Sequence, residues 1–150
     1  MIRVSTRGRY ALRALIDLAL HVDGGPVARQ DIAMRQEISA DYVAQLFRSL
    51  HNAGLVEGVK GPGGGYRLAR DVAAITALDV VQAVEGPVAV SHCVDLDDAD
   101  DDVCNRVDYC VTRLLWKRLS EAMIAYLGSV TLQDLCSEAH RLELARQTRE

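Results

Sequence analysis

The chain is poor in aromatic residues, with one Trp and one Phe in 150 positions. That excludes a core built on stacked rings. Aliphatic side chains must supply most of the buried volume, and a hydrophobic fraction of 49% is ample for it. No run of about eighteen apolar residues occurs, so no membrane-spanning helix is encoded. The opening MIRVSTRGRYALRALIDL carries Asp17 and lacks a small-residue cleavage site, so it reads as a mature helix rather than a secretory leader. A cytoplasmic location is expected, and structural disulfides are not expected there. There is no Cys-x-x-Cys pair and no Gly-Lys-Ser/Thr sequence, which removes the nucleotide-cradling loop as an account of the glycine-rich stretch GVKGPGGGYRL.

What is present is unevenly distributed. Residues 1–70 hold ten Lys and Arg against six Asp and Glu, a net +4, while residues 71–150 hold seven against fifteen, a net −8. A basic front half on an acidic chain points to a polyanionic partner for that half alone.

Ser5 can cap a helix whose apolar stripe is Tyr10, Ala11, Ala14, Leu15, Leu18, Ala19 and Val22, broken by Asp-Gly-Gly-Pro at 23–26. A short helix follows around Gln30 to Arg35. Ser39 can cap a third, which buries Tyr42, Val43, Leu46, Phe47 and Leu50 and ends at Gly54. Two short helices joined by a tight turn form a DNA-reading unit, the second entering the major groove by its N-terminal end. Gln45 and Arg48 lie outside the apolar stripe; Gln pairs with adenine, and Arg with guanine or a phosphate. LVEGV (55–59) and GYRLA (65–69) then read as two strands of a hairpin, a wing. Its tip of Lys60, Gly61, Pro62, Gly63 and Gly64 offers positive charge and bare N–H groups to phosphate, and Tyr66 and Leu68 anchor it to the core.

In the second half, TALDVVQAVEGP (76–87) reads as a helix capped by Thr76 and Asp79. Leu114, Leu115, Leu119, Ala122, Met123, Tyr126 and Leu127 mark a long helix with too few local partners, so a homodimer built on it is expected. TLQDLCSEAHRLELA (131–145) is a final amphipathic helix, with Cys136 on its apolar side as a buried structural thiol. Ten residues separate Cys93 from Cys104, and five separate Cys104 from Cys110. Three thiols in one irregular segment suit zinc, an iron–sulfur cluster or a thiol switch, and spacing alone does not choose among them. The run Asp95, Asp97, Asp98, Asp100, Asp101, Asp102 lacks the central Gly and terminal Glu of a calcium loop; its twelfth position is Arg106. It reads as a mobile solvated loop whose charge would raise nearby thiol pKa values. A cysteine-dependent enzyme using Cys110 lacks a partnered histidine and a glycine-rich active-site turn.

STRGRYALRALIDLAL, YVAQLFRSLHNAGLV, KGPGGGYRLA, the three loop cysteines and CVTRLLWKRLSEAM, in that order, resemble the Rrf-two family of bacterial regulators, and within it the IscR-like iron–sulfur cluster regulators. The resemblance covers residues 1 to about 137. It implies a DNA-binding homodimer, mainly α with a small β-hairpin: a winged helix-turn-helix domain (1–75), then a sensor loop and dimerisation helices (76–150). It places Ser39, Tyr42, Gln45, Arg48 and Lys60 in the DNA-contacting elements and makes Cys93, Cys104 and Cys110 cluster ligands, with 2Fe–2S favoured over 4Fe–4S. IscR-like members have a histidine ligand three residues after the last cysteine; that position here is Arg113, a permanent cation that cannot ligate. The fourth ligand is left among His92, Asp108, another carboxylate, a partner-subunit residue and a small molecule. A cluster-free thiol–disulfide sensor is the alternative.

Overall fold

The computed structural model describes residues 4–95 and 104–149. Helix α1 (Thr6–Leu20) starts where the Ser5 hydroxyl accepts the Gly8 N–H at 3.3 Å, and it buries Ala11, Ala14, Leu15 and Leu18. Helices α2 (Arg29–Gln36) and α3 (Ala40–Asn52) follow. The turn between them passes through Glu37 at φ 56°, ψ 44°, the single non-glycine residue with positive φ among the described residues. The Ser39 hydroxyl accepts the Tyr42 N–H at 3.1 Å and starts α3, whose Val43, Leu46, Phe47 and Leu50 are fully buried at helical spacing. Gly54, at φ 72°, ends it as expected.

Strands β1 (Val56–Val59) and β2 (Gly65–Leu68) form the hairpin, antiparallel, with Val56 opposite Leu68 and Val59 opposite Gly65. Tyr66 packs against Phe47 with ring centroids 4.5 Å apart and planes tilted by 43°, so the hairpin is tied to α3. Val27 adds to its edge, exchanging hydrogen bonds of 2.9 and 2.8 Å with Tyr66.

Helix α4 (Ala77–Glu85) and helix α6 (Leu132–Gln147) open on twin capping boxes, Thr76 with Asp79 and Thr131 with Asp134. The two starts are bound together: Ala77 N–H donates to Val130 O at 2.8 Å and Leu132 N–H to Ile75 O at 2.7 Å. Leu132 and Ile75 are thereby buried in the same core as α1 and α3. Helix α5 (Val111–Ser129) lies against α4, but of its residues only Ser120 is buried. Leu114 and Leu115 are 55% and 56% exposed in the single chain. Among the described residues, this gives six helices and one two-stranded hairpin, the mainly helical architecture read from the sequence.

Candidate nucleic-acid interface and sensor cysteines

The exposed side of α3 and the hairpin face each other across an open groove. Arg48 and His51 line it from α3, Val59, Lys60 and Gly61 from the wing, and Arg29 and Gln30 from the first turn of α2. Three of the lining residues are permanent cations and none is acidic. This is the charge pattern that a phosphodiester backbone attracts.

Of the residues singled out in the sequence, Arg48, Lys60, Gly61 and Gly64 line this groove; Ser39, Gln45, Pro62 and Gly63 are exposed outside its lining, and Gly64 is half-buried. Tyr42 is also half-buried, its ring meeting the Tyr10 ring edge-on at 6.0 Å. Arg29, Gln30 and His51 were not singled out. Arg29 and Gln30 follow Val27, whose pairing with Tyr66 swings the start of α2 beside the wing, and nothing local announces that pairing.

The wing glycines have two separate reasons. Gly61 and Gly63 adopt φ 91° and 72° with open space where a Cβ would stand. At Gly64 a Cβ would lie 2.2 Å from Val59 O, and at Gly65 it would lie 2.1 Å from Val27 O. The Gly64 N–H is itself taken up by Gly61 O at 3.0 Å. Access for DNA is therefore not needed to account for these two; the close approach there is between strands of the protein itself.

The cysteines are all free thiols. Cys93 sits in a 3-10 turn (His92–Val94), half-buried, with its sulfur 3.2 Å from Ser91 Oγ. Cys110 is the residue immediately before α5, its sulfur 3.1 Å from Thr112 Oγ1. The Thr112 hydroxyl, helped by the main-chain N–H groups of Arg113 and Thr112, holds the Cys110 thiol below its ordinary pKa. This reverses the direction expected from the acidic run: hydrogen bonds at a helix start stabilise the thiolate. Residues 97–102 of that run lie outside the described residues. Cys104 is exposed, as are His92 and Asp108. Cys136 is half-buried against the core, and loss of hydration raises its pKa.

Arg113 fills the place of the family's histidine with a different task. Its Nε donates to the main-chain oxygen of Cys93 at 2.7 Å. The buried Ser120 accepts the Val90 N–H at 3.1 Å and donates to Trp116 O at 2.9 Å. The segment 86–95 is thus tied to α5 at two points, Val90 and Cys93. Among the described residues, no three His, Cys, Asp or Glu side chains converge as a metal site. The donor chemistry nevertheless suits a thiophilic group, since Cys93, Cys104 and Cys110 are all free thiols and Cys110 directly precedes α5.

Residues 4–138 match the model of a family described as Rrf2, iron-dependent transcriptional regulator. The chain belongs to the Rrf2 family. It is 41% identical over 143 residues to the HTH-type transcriptional regulator IscR of Xenorhabdus nematophila, covering 95% of this chain and 84% of that one. It is 42% identical over 144 residues to a putative HTH-type transcriptional regulator, ORF2, of Azotobacter vinelandii, covering 96% and 85%. Among solved structures it is similar to IscR of T. potens, with a TM-score of 0.73 and 34% identity over 92% of this chain and 88% of that one. CymR (YrzC), the global cysteine regulator of B. subtilis, has a TM-score of 0.72 and 36% identity, covering 92% and 98%. The fold is that of the Rrf2 winged-helix regulators. This Rrf2 protein is a DNA-binding transcriptional regulator, IscR-like, and not an enzyme. No helix among its described residues is long and apolar enough to cross a membrane.

Proposed function

We propose that the protein is a homodimer whose affinity for a double-stranded DNA operator is set by an iron–sulfur cluster on Cys93, Cys104 and Cys110. The groove free of acidic side chains between α3 and the wing carries the DNA half of this reading. Gln45 and Arg48 reach base edges from α3, and Ser39 and Tyr42 hold its leading end at the groove. Lys60 and the main chain of Gly61 and Gly63 contact phosphates, the Gly64 N–H being already held by Gly61 O. Residues 1–75 bind DNA, and residues 76–150 sense and dimerise.

Three free thiols, with Cys110 directly before an uncovered apolar helix, support the sensing half. When bound, the cluster would supply an oxidisable, thiol-held centre, 2Fe–2S ahead of 4Fe–4S, with His92 or Asp108 as candidate fourth ligands. The chain's own contribution is the strap: Arg113 and Ser120 fix residues 86–95 along α5. The order of this segment therefore sets the seat of the second subunit and the spacing of the two wings. A coupling of about 1.4 kcal/mol already changes operator affinity tenfold.

The experiment is anaerobic purification followed by iron and sulfide analysis, visible absorption, and gel-shift titration with and without the cluster. Brown protein with iron and sulfide, and an operator affinity that changes on cluster loss, is the expected result. Colourless, iron-free protein would overturn the cluster. Replacing Lys60 and Arg48 should reduce the salt slope of DNA binding by about 1 for each phosphate that is no longer neutralised.

A second reading, a cluster-free thiol switch, is favoured by one observation: Cys110 is held toward its thiolate form. Under that reading oxidation joins two of the three loop cysteines, and mass spectrometry of the non-reduced protein finds the disulfide. A similar solved structure is that of an oxidised form of Staphylococcus aureus CymR, TM-score 0.69 and 30% identity over 90% of this chain and 96% of that one.

A further inference from the structure

A carboxylate stands in the apolar stripe of α1. Asp17 is one turn on from Ala14 and beside Leu18, both fully buried, and its own side chain is 3% exposed. Burying a charge there is unfavourable unless every lone pair finds a donor. Both oxygens are used. Arg35 Nε lies 2.9 and 3.1 Å from Oδ1 and Oδ2, its Nη2 lies 2.8 Å from Oδ2, and Gln36 Nε2 lies 3.1 Å from Oδ1.

Arg35 and Gln36 are the last two residues of α2, directly before the left-handed Glu37 that turns the chain into α3. Arg13, one turn earlier on α1, closes the network from solvent. Its Nε donates to Gln36 Oε1 and its Nη2 to the main-chain oxygen of Gln36, both at 3.1 Å. The Gln36 amide is thus oriented at both ends, oxygen toward Arg13 and nitrogen toward Asp17. The same guanidinium lies 4.8 Å over the Tyr10 ring, and Tyr10 meets Tyr42 in the first turn of α3. Helix α1 therefore grips both sides of the helix-turn-helix turn with one face.

Apolar packing is not directional; it places α3 by shape and volume and sets no bond angle. A bidentate fork sets both its angle and its position. Base readout requires side chains placed to within about 0.5 Å, so the helix carrying Gln45 and Arg48 needs such a constraint. We infer that Asp17, with Arg35, Gln36 and Arg13, is a positioning network that fixes the tilt of α3 and thereby the protein's discrimination between operator and other DNA. The inference rests on the reading of α3 as the DNA-reading helix.

The test uses the full chain and a duplex selected from a random pool by the wild type, with a scrambled duplex beside it. Arg13→Met keeps volume on an exposed residue, and Asp17→Asn keeps the shape of the buried one. Val80→Ala, a core cavity on α4 that removes no member of this network, controls for lost stability. For Arg13→Met and Asp17→Asn, operator affinity should fall about tenfold or more while scrambled-duplex affinity and salt slope stay within about twofold. Val80→Ala should leave the ratio between duplexes unchanged. If Asp17→Asn does not fold, Arg13→Met and Gln36→Leu carry the same comparison. An unchanged ratio in the folded variants, or the same loss of ratio in Val80→Ala, overturns the positioning role. A wild type that enriches no sequence overturns the DNA reading itself, and this inference with it.

Discussion

The side chain of Arg113 and the main-chain carbonyl of Cys93, twenty residues apart, meet at 2.7 Å. A position from which the family's histidine would offer a ring nitrogen here ties down the backbone of a candidate ligand. Truncating it removes the tie and leaves both cysteines in the chain. Arg113→Ala should therefore speed alkylation of Cys93 by iodoacetamide several-fold and raise amide exchange at Val90 and Cys93 in metal-free protein. Unchanged exchange would show that Ser120 alone holds the strap.

The two thiols at opposite ends of the C-terminal half should titrate in opposite directions. Hydrogen bonds to sulfur lower the Cys110 pKa, and burial raises that of Cys136. In metal-free protein the pH midpoint of the Cys110 alkylation rate should lie below that of a cysteine in an unfolded peptide, and the Cys136 midpoint above it. Thr112→Val should move the Cys110 midpoint upward, because it removes the largest stabiliser of the thiolate. A midpoint for Cys110 at or above that of Cys136, by mass spectrometry across pH, contradicts the assignment.

Glycines of the wing should divide by cause. Gly65→Ala drives a Cβ into Val27 O and must break the Val27–Tyr66 pairing, so a loss of about 3 kcal/mol is expected. Gly63→Ala meets only open space and bears the cost of the left-handed backbone, about 1–2 kcal/mol. Chemical denaturation of both variants measures this, and equal losses would refute the steric distinction.

Exposed leucines of α5 should decide assembly. Leu115→Glu with Leu119→Glu places charge on a face uncovered in the single chain, so helix content by circular dichroism should be retained. Light scattering should find a monomer, and operator affinity should fall because two half-sites are no longer held by one particle. A dimer that survives both changes would place the second subunit elsewhere.

Much of the architecture was legible because it is local. Caps at Ser5, Ser39 and Thr76 lie within three residues of the N–H groups they accept, and the stripe of α3 repeats with the helix. The hairpin is announced by strand-like runs around a glycine-rich tip. Cys110 shows where that reasoning fails. A count of acidic residues along the chain gave its pKa shift the wrong sign, because hydrogen bonds from the Thr112 hydroxyl and the Arg113 N–H, which such a count does not register, lower it.

By itself, the sequence determined the helices, the caps at Ser5, Ser39 and Thr76, and the wing, since each depends on chemistry within a few positions. Tertiary structure alone decided which long-range partners those pieces met. It gave Asp17 its fork from Arg35 and brought the Glu85 carboxylate to the Gly8 N–H at 2.9 Å, at the head of α1. It also laid Val27 against Tyr66 and Arg113 against Cys93. These pairs are 18, 77, 39 and 20 residues apart, and a directional contact over such distances exists only once the packing of the apolar faces has fixed where each helix lies.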